Sequence, residues 1–510
     1  MRRESAERNE RDEAWADGAE RVAELAGSLL RNVGRHVREL VEDVADDSLD
    51  VASEAETLYE SARERLSEAR EAVGATPRLS RVVGEGAALL ARHRALRALR
   101  AARRELTGRP ERARDDLHRH TARRLRLLCE ELRGGILKLG QFASTRADLL
   151  PAPYVAELSK LQDRVPALPA EAVVERLDAA LGPDWGERFT SFEPAPLAAA
   201  SLAQVHGATL ADGTPVAVKL LVPGIEACVE ADLAALRVLA PALRGLLHRV
   251  DLETLVAELS RAVERELDFE AEARAAHELH AAFADDPDVI VPEVHDDASG
   301  PGVLVMERID GERLIDFLDG CAARGEAGAR DRDRVFATLV RCFCEQVLVH
   351  GVFQGDPHPG NFLVVPGERG PRLALLDFGC IERHDAPTRT AYASLAMAVL
   401  ARDRARMAAC FEALGFRSRD GGTAGLEAYA ELFLAAFREG MRLDVDVDHA
   451  AHVRRILDLT EENPIAEIPG HFVLLGRVFA SLGGLIVRYR PDLRLSALLR
   501  PGLAAALRTP

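Results

Sequence analysis

Residues 354–361 are Gln-Gly-Asp-Pro-His-Pro-Gly-Asn, and residues 375–379 are Leu-Leu-Asp-Phe-Gly. Asp356 and Asn361 lie five residues apart in a loop rich in proline and glycine, which can turn both side chains in one direction. Sixteen residues after Asn361, an apolar strand delivers Asp377 into a turn that contains glycine. Oxygen ligands from Asn361 and Asp377 suit a Mg²⁺ ion that also binds phosphate oxygens, and Asp356 is then available to orient or deprotonate a hydroxyl. This spacing predicts a phosphoryl-transfer site like that of a kinase.

A lysine on a predicted strand lies upstream of this loop. Residues 216–219 are Val-Ala-Val-Lys and form the second strand of a hairpin that turns at Asp212-Gly213. Alone, this pattern more often marks a surface lysine, but with the downstream motifs it predicts a lysine that holds the α- and β-phosphates. Lys219 also needs a carboxylate on the following helix, and spacing leaves five candidates open. These are Glu264, Glu266, Asp268, Glu270 and Glu272.

The glycine-rich phosphate loop of ordinary protein kinases is replaced by alanines. The residues before the hairpin are Ala198, Ala199, Ala200 and Ser201. Alanine leaves less room than glycine for the backbone to approach phosphates, whereas Ser201 still offers a hydroxyl. An ordinary protein kinase would not be built this way.

The order of strand and helix patterns predicts the fold class. Strand patterns cluster before Asp310, and helical patterns dominate after it. We therefore expect an α+β, protein-kinase-like bilobal fold, with a small β-rich N-lobe, a helical C-lobe and an N-terminal helical extension. The expected domains are a charged extension at 1–125 (acidic 1–77, Arg-rich 78–126), helices at 126–170, the N-lobe at 171–309 and the C-lobe at 310–510.

Composition and charge exclude several classes of protein. The 510 residues are 47% hydrophobic, which is enough for a sizeable core and excludes a disordered or collagen-like chain. The net charge of −17 argues against a protein that coats nucleic acid. Residues 1–77 carry 20 acidic and 11 basic side chains, whereas residues 78–126 carry 15 arginines and 5 acids. The Arg-rich segment has two interpretations: it packs against the acidic segment, or it makes a peripheral membrane contact.

The ends, the apolar runs and the cysteines of the chain bear on its location in the cell. The N-terminus has no apolar run after its arginines, so a secretory signal is not expected. The apolar stretch 472–487 is interrupted by Arg477, so a transmembrane helix is not expected either. The seven cysteines are scattered and fit reduced thiols. These features predict a cytoplasmic protein, with peripheral contact at the inner membrane surface as the alternative, and leave the oligomeric state open.

Taken together, the motifs resemble the ABC1 family of atypical kinases, also called the AarF family, which includes bacterial UbiB. They occur in the family's order over about residues 130–385. The matching motifs are Lys138-Leu-Gly-Gln141, Ala198–Ser201, Val216–Lys219, Glu266-Leu-Asp268 with Glu272 following, Val305–Glu307, Asp356–Asn361 and Asp377–Gly379.

The resemblance implies a role for each residue at the ATP site. It pairs Lys219 with Glu272, which is the choice that spacing left open, and makes Asp356 the catalytic aspartate. It makes Asn361 and Asp377 the Mg²⁺ ligands. It also implies that ATP binds at Ala198, Ala199, Ala200 and Ser201 and at a hinge that contains Met306, Glu307 and Ile309.

The resemblance further implies that the helix with Lys138 and Gln141 gates the site. Lys138 is expected to meet Glu266 and Asp268 and to fill the space where a protein substrate would enter. Lys138 and Gln141 are three residues apart and share a helix face. Without the other motifs, the plainer interpretation would be an amphipathic helix with one exposed lysine. Gating would disfavour protein substrates and favour ATP hydrolysis or a small, lipid-like or quinone-like substrate.

The chain departs from the family pattern at two places. Family members commonly have His-Ala before the catalytic aspartate, where this chain has Gln354-Gly355. Bacterial UbiB also has C-terminal membrane helices, which are not expected here.

Three functions compete on the sequence. The leading hypothesis is a Mg-ATP-dependent atypical kinase or ATPase that supports isoprenoid-quinone or other lipid metabolism. A small-molecule phosphotransferase of the aminoglycoside type has a similar catalytic loop but lacks the Lys138–Gln141 motif. A nucleotide-binding regulatory or scaffold protein without turnover is the third, and the intact Lys219, Asp356, Asn361 and Asp377 argue against it.

Overall fold

The computed structural model describes residues 77–90, 93, 113–144, 150–161, 167–244, 252–418, 423–435, 465–467 and 469–506. The predicted acidic segment up to residue 76, and residues 94–112 of the Arg-rich segment, lie outside the described residues. The chain divides into two compact units. The first contains described residues up to Arg176, Pro196–Gln204 and Leu221–Leu267, and the second contains Leu177–Ala195, Val205–Leu220 and residues from Asp268 onward. The predicted lobe boundaries at 170 and 309 remain a prediction.

The helices, in chain order, are α1 (77–90), α2 (Ala113–Leu132), α3 (Gly134–Ser144), α4 (Ala152–Leu158), α5 (Ala170–Leu181), α6 (Ile225–Arg244), α7 (Leu252–Leu267), α8 (Phe269–Phe283), α9 (Leu314–Cys321), α10 (Gly325–Glu345), α11 (Ala386–Ala401), α12 (Arg404–Ala413), α13 (Ala424–Ala435), α14 (Gly470–Tyr489) and α15 (Leu495–Ala506). The strands are β1 (Phe189–Ala199), β2 (Ala203–Leu210), β3 (Pro215–Leu221), β4 (Val289–Ile290), β5 (Val303–Glu307), β6 (Glu312–Arg313), β7 (Val352–Gln354), β8 (Phe362–Val365), β9 (Arg372–Leu375), β10 (Ile381–Arg383), β11 (Arg417–Ser418) and β12 (Ile465–Glu467).

The first unit is built from helices packed along apolar stripes. Leu79, Val82 and Val83 of α1 recur at helical spacing and pack against Ala235 and Val238 of α6. A second cluster joins α2, α3 and α4, and its members are Cys129, Leu137, Leu158 and Leu161. Because both clusters border α3, this helix is held from two sides.

A buried ion pair fixes the start of α3. Asp232 of α6 is fully buried, and both of its oxygens accept hydrogen bonds from Arg78 of α1, each at 2.7 Å. The backbone N–H of Ile136 also donates to Asp232, at 2.9 Å. Burial raises the pKa of Asp232, and the Arg78 guanidinium opposes that rise. Arg78 further donates to the carbonyl oxygen of Arg133, where the chain turns with φ +54° into Gly134 at φ +58°.

Three arginines of the predicted Arg-rich segment have acidic partners within the first unit. Arg78 pairs with Asp232, Arg81 with Glu131, and Arg126 with Glu130 and Glu157. These partners lie outside residues 1–77, so the acidic segment is not needed to pair these three arginines. Both interpretations of the segment stay open for its other arginines.

The second unit contains most of a four-stranded sheet in the order β1-β2-β3-β5. The predicted hairpin is present: the Leu210 N–H donates to the Thr214 carbonyl at 2.9 Å, and Gly213 has φ +92°. Strand β3 alternates, with Val216, Val218 and Leu220 fully buried on one face, so Lys219 points to the other face. Antiparallel pairing sets Lys219 opposite Leu304 of β5.

A second four-stranded sheet, in the order β4-β9-β8-β6, and the β7–β10 pair carry the loop residues that sequence analysis selected. Phe362 at the start of β8 lies opposite Leu375 at the end of β9. The residues next to this register position, Asn361 and Leu376, are therefore adjacent, and the Leu376 N–H donates to the Asn361 carbonyl at 3.0 Å. This register places Asn361 and Asp377 at the same end of the hairpin.

One helix in the described part of the chain is long and apolar enough to cross a membrane. It is α14, with 20 residues and a mean hydropathy of 1.6, a criterion that core helices also meet. Such a helix is not expected from the sequence, because Arg477 interrupts the apolar run. In the second unit α14 buries Phe472, Leu475 and Val478.

The Arg78–Asp232 pair gives a test of the first unit. We expect Arg78→Ala to lower the free energy of unfolding by about 3 kcal/mol, because it leaves a buried carboxylate without its cation. Urea denaturation measures the loss, and Arg81→Ala is the matched control. Arg81 and Glu131 are an exposed pair (54% and 64%), so the control should lose less than about 1 kcal/mol. Equal losses in the two variants would show that Asp232 does not depend on Arg78.

Candidate active site

The site in the second unit is built around a buried carboxylate on α8. Glu272 is 2% exposed, and its Oε1 lies 2.5 Å from the Nζ of Lys219. Burial raises the pKa of Glu272, the Lys219 cation lowers it, and the nearby Asp377 carboxylate raises it. The backbone N–H of Phe378 lies close enough to Glu272 to lower its pKa as well. Glu272 therefore joins strand β3 to the turn that follows β9.

Helix α8 is aligned for this contact by its N-cap. The Asp268 carboxylate accepts a hydrogen bond from the Ala271 N–H at 2.8 Å, which satisfies one of the unpaired donors at the helix start. Glu272 lies one turn after this cap. The Lys219 ammonium also lies over the ring of Phe269, 5.0 Å from its centroid. Of the five carboxylates that spacing left open, the structure sets Glu272 against Lys219.

The turn after β9 holds Asp377 in a fixed orientation. Its Oδ1 accepts a hydrogen bond from the Gly379 N–H at 2.9 Å, and the Gln354 side chain donates to its carbonyl oxygen at 2.6 Å. Gln354 is 1% exposed, and its N–H donates to Gln346 at 2.9 Å. The buried amide of Gln354 thus ties the end of β7 to the Asp377 backbone.

Sequence reasoning missed this role of Gln354. It recorded the residue only as a departure from the family pattern, where histidine is common. The signal that could have found it is its position two residues before the expected catalytic aspartate, at the end of a short apolar strand. An uncharged amide at this place holds Asp377 without a proton equilibrium of its own.

The loop between β7 and β8 presents Asp356 and Asn361. The Asn361 side chain donates to the Asp356 carbonyl at 3.2 Å, which turns its amide oxygen away from that contact. The Asp356 side chain is 48% exposed, and one of its oxygens lies 3.7 Å from the Arg477 guanidinium of α14. The loop therefore exposes one carboxylate beside one amide oxygen.

The expected hinge covers the end of β5 and the residues just after it. Met306 is 6% exposed and lies opposite Ala217 of β3, whereas Glu307 is exposed and Ile309 is half-buried. The Arg308 N–H donates to the Pro215 carbonyl at 3.2 Å, so the segment continues along the sheet edge. Met306 on β5 and Lys219 on β3 therefore lie on two strands that pair with each other.

The alanine segment lies in the first unit. Strand β1 ends at Ala199 after Ala198, and the Ala200 N–H donates to the Ala203 carbonyl at 2.8 Å, which closes a tight turn. Ser201 is 6% exposed within that turn. The Ala200 N–H is therefore already hydrogen-bonded within the turn, whereas a glycine-rich loop would leave such a donor for a phosphate.

The predicted gating residues Lys138 and Glu266 are brought together in the first unit. The Lys138 Nζ lies 3.0 Å from the Glu266 Oε2, and Lys138 is 15% exposed. Gln141 is half-buried one turn further along α3. Between them, a Cβ at Gly140 would come within 2.7 Å of Leu161 and 3.0 Å of Cys129, so a larger residue would force these side chains to shift. Asp268, the other residue expected at this lysine, is the N-cap of α8.

Comparisons with known proteins match this arrangement to one family. The model of the ABC1 atypical kinase-like domain matches residues 160–411. A protein named probable protein kinase UbiB from Marinobacter nauticus is 33% identical over 388 residues, which are 74% of this chain and 69% of that protein. The chain belongs to the ABC1 family of atypical kinases. The resemblance drawn from the motifs is therefore confirmed.

More distant relatives agree. The protein ACTIVITY OF BC1 COMPLEX KINASE 1, chloroplastic, from Arabidopsis thaliana is 32% identical over 76% of this chain, and the match spans 56% of its own length. The solved structure of Rv3197 from Mycobacterium tuberculosis, in complex with erythromycin, is 28% identical with a TM-score of 0.54 and covers 74% of this chain and 95% of that one. The predicted α+β, protein-kinase-like fold with an N-terminal helical region is confirmed.

The buried pair predicts an unusual pH dependence of stability. In Lys219→Met, burial raises the Glu272 pKa without the opposing cation. A carboxyl whose folded pKa is raised stabilises the protein below its unfolded pKa and loses that contribution as pH rises. The stability deficit of the variant should therefore be small near pH 4.5 and reach about 3 kcal/mol at neutral pH.

Urea denaturation across this pH range measures the deficit, with Lys160→Met as the control. Lys160 is 57% exposed and pairs with Glu157 at the surface, so its loss should cost less than about 1 kcal/mol. A deficit in Lys219→Met that shrinks as pH rises would contradict the assignment.

Proposed function

We propose that the protein binds Mg-ATP and transfers its terminal phosphoryl group to water or to a small acceptor. The observation that carries this proposal is the joining of Lys219, Glu272 and the Asp377 turn through one buried carboxylate. A lysine so held offers a fixed cation to the α- and β-phosphates. Family membership supports a kinase-like activity.

The residues present fit a Mg²⁺ ion that is shared with nucleotide. Within the described residues, no cluster of three or more His, Cys, Asp or Glu side chains is placed to hold a metal ion. Asn361 and Asp377 would supply two oxygen ligands, and phosphate oxygens and water would complete the six that Mg²⁺ requires. When bound, the ion would neutralise charge on the β- and γ-phosphates. Asp377 keeps its second carboxylate oxygen for this task, because Gly379 engages only Oδ1.

Asp356 is the residue we propose for the acceptor. Its half-exposed side chain can receive a hydrogen bond from a hydroxyl or a water molecule and can orient that oxygen toward the phosphorus. The backbone of this loop is fixed by Asn361 and by the adjacent strands. The loop thus supplies positioning, which is the main protein contribution to phosphoryl transfer.

The substrate class follows from the gating helix and the family. The Lys138–Glu266 pair and the close packing at Gly140 support a fixed α3 that restricts protein substrates. With ATP and Mg²⁺ as cofactors, a lipid-like or quinone-like small molecule is the proposed acceptor or effector. The proposed location is the cytoplasm, with peripheral contact at the inner membrane surface as the alternative. The family match favours this function over an aminoglycoside-type phosphotransferase. Lipid-extract mass spectrometry of a deletion strain complemented with wild type or Asp356→Asn tests the lipid role.

Metal-dependent nucleotide binding separates the two aspartates. We expect Mg-ATP to raise the melting temperature of the wild type, because a ligand that binds only the native state stabilises it. Asp377→Ala should abolish this shift by removing a metal ligand, whereas Asp356→Asn should keep the shift and lose phosphate release. Thermal denaturation and a phosphate-release assay measure the two properties. Asp296→Asn, a change at an exposed surface pair with His277, is the control.

The competing hypotheses about function predict different results in the same assays. Wild-type turnover by Asp356→Asn would favour a nucleotide-binding scaffold, and an unchanged shift in Asp377→Ala would remove that residue from the metal site.

The gating pair gives a separate expectation. Lys138→Ala removes the cation that holds Glu266, so α3 should lose its fixed position and phosphorylation of the protein itself should increase. Incorporation of labelled phosphate from ATP measures the change. Lys160→Ala, which breaks an exposed pair, should leave incorporation at the wild-type level. Equal incorporation in the wild type and Lys138→Ala would remove Lys138 from gating.

A further inference from the structure

One face of helix α14 lies against the loop that carries Asp356. Ser481 donates a hydrogen bond to the Pro357 carbonyl at 2.9 Å, and Leu474 lies 3.7 Å from the position of a Cβ at Gly355. Between them in sequence, the Arg477 Nη2 lies 3.7 Å from the Asp356 Oδ1. Residues at positions 474, 477 and 481 share one helix face. The helix therefore brings a guanidinium to the proposed catalytic carboxylate.

The loop itself lacks a permanent cation. Residues 356–361 contain no lysine or arginine, and the Lys219 ammonium is engaged by buried Glu272. Phosphoryl transfer places negative charge on the oxygens of the transferred group, and a cation at that group accounts for a large part of catalysis in many such enzymes. A cation that binds the transferred group at this end of the loop therefore has to come from another element.

The Arg477 side chain has the accessibility for this role. It is 30% exposed, and the separation of 3.7 Å from Asp356 exceeds a hydrogen bond. A guanidinium carries five N–H donors in a planar fork, so a phosphoryl group can be bound beside the carboxylate. A purely structural ion pair would gain more from a direct, bidentate contact, as Arg78 makes with Asp232.

We propose that Arg477 is a further catalytic residue, which binds the phosphoryl group during its transfer. The inference rests on the proposed function. In the step, the bond between the γ-phosphorus and the bridging oxygen breaks, and ADP leaves with that electron pair. A bond forms between the phosphorus and the acceptor oxygen, whose proton passes to Asp356. Arg477 keeps its own proton and neutralises charge on the transferred oxygens.

The test separates binding from turnover in Arg477→Ala. We expect the melting-temperature shift with Mg-ATP to persist, because Lys219 and the metal ligands hold the nucleotide. The kcat for phosphate release should fall by at least about 100-fold, in the range found for groups that bind transition-state charge. Guanidinium ion at low, non-denaturing concentration should restore part of the activity, and Arg477→Lys should retain more activity than Arg477→Ala.

A matched control lies on the same helix. Arg488 pairs with Asp319 at the surface, with both side chains more than half exposed. Arg488→Ala should therefore keep the wild-type kcat. Its melting temperature calibrates the effect of removing one arginine from α14.

Each other outcome has a definite meaning. If Arg477→Ala keeps a kcat within threefold of wild type while Asp356→Asn abolishes turnover, the proposed function stands and the role of Arg477 is overturned. A loss that comes with a lowered melting temperature, and that neither guanidinium nor Arg477→Lys relieves, would make Arg477 a structural residue and also overturn the proposal. A wild type that shows neither a Mg-ATP shift nor turnover would overturn the proposed function and this inference together.

Discussion

The buried carboxylate of Glu272 constrains the second unit, because its charge needs partners from other elements of the fold. Glu272 is 2% exposed, and burying a charge is costly unless cations and hydrogen bonds compensate it. The cation that pairs with it, Lys219, comes from strand β3, and the Phe378 backbone in the turn after β9 also lowers its pKa. Neither could shift by a residue without leaving Glu272 unpaired, since a one-residue slip of β3 would turn Lys219 to the opposite face. The sheet register, the cap of α8 and the Asp377 turn therefore depend on one another.

The first unit also contains a buried carboxylate whose charge is balanced by partners from other helices. Fully buried Asp232 receives Arg78 from α1 and the Ile136 N–H from the first turn of α3. The sequence predicts that residues 78–126 belong to an extension ahead of the gating helices. In the structure, α1 is part of the packing that fixes where α3 begins, because its apolar stripe and its arginine both meet α6. The helix that carries Lys138 is thus positioned by a segment about 60 residues earlier in the chain.

Much of the candidate site could be predicted because its chemistry is local. The Asp212-Gly213 turn, the proline-rich loop of Asp356 and the glycine turn of Asp377 each have their determinants within a few residues. The partner of Lys219 could not be found that way, since five carboxylates had suitable spacing and only the family resemblance selected Glu272. Gln354 contacts a carbonyl 23 residues away, and Arg78 a carboxylate 154 residues away. Such contacts depend on packing between distant elements. In the sequence Arg477 interrupts an apolar run, and only packing shows that this interruption has a partner in Asp356.

The distribution of charge between interior and surface separates structural groups from chemical ones. Glu272 and Asp232 are buried and fully engaged, so changing their protonation would cost the fold directly. Asp356 is 48% exposed, and its carboxylate lies 3.7 Å from the Arg477 guanidinium. Its position is held through the backbone of its loop. A carboxylate that is fixed in position but incompletely paired can accept a proton or a hydrogen bond without loss of structure, which general base chemistry requires. The same reasoning applies to Asn361 and Asp377, whose contacts engage one polar atom of each side chain and leave an oxygen for a ligand. Rigid support from buried pairs, combined with incomplete pairing at the exposed atoms, is the arrangement that preorganised electrostatic catalysis needs.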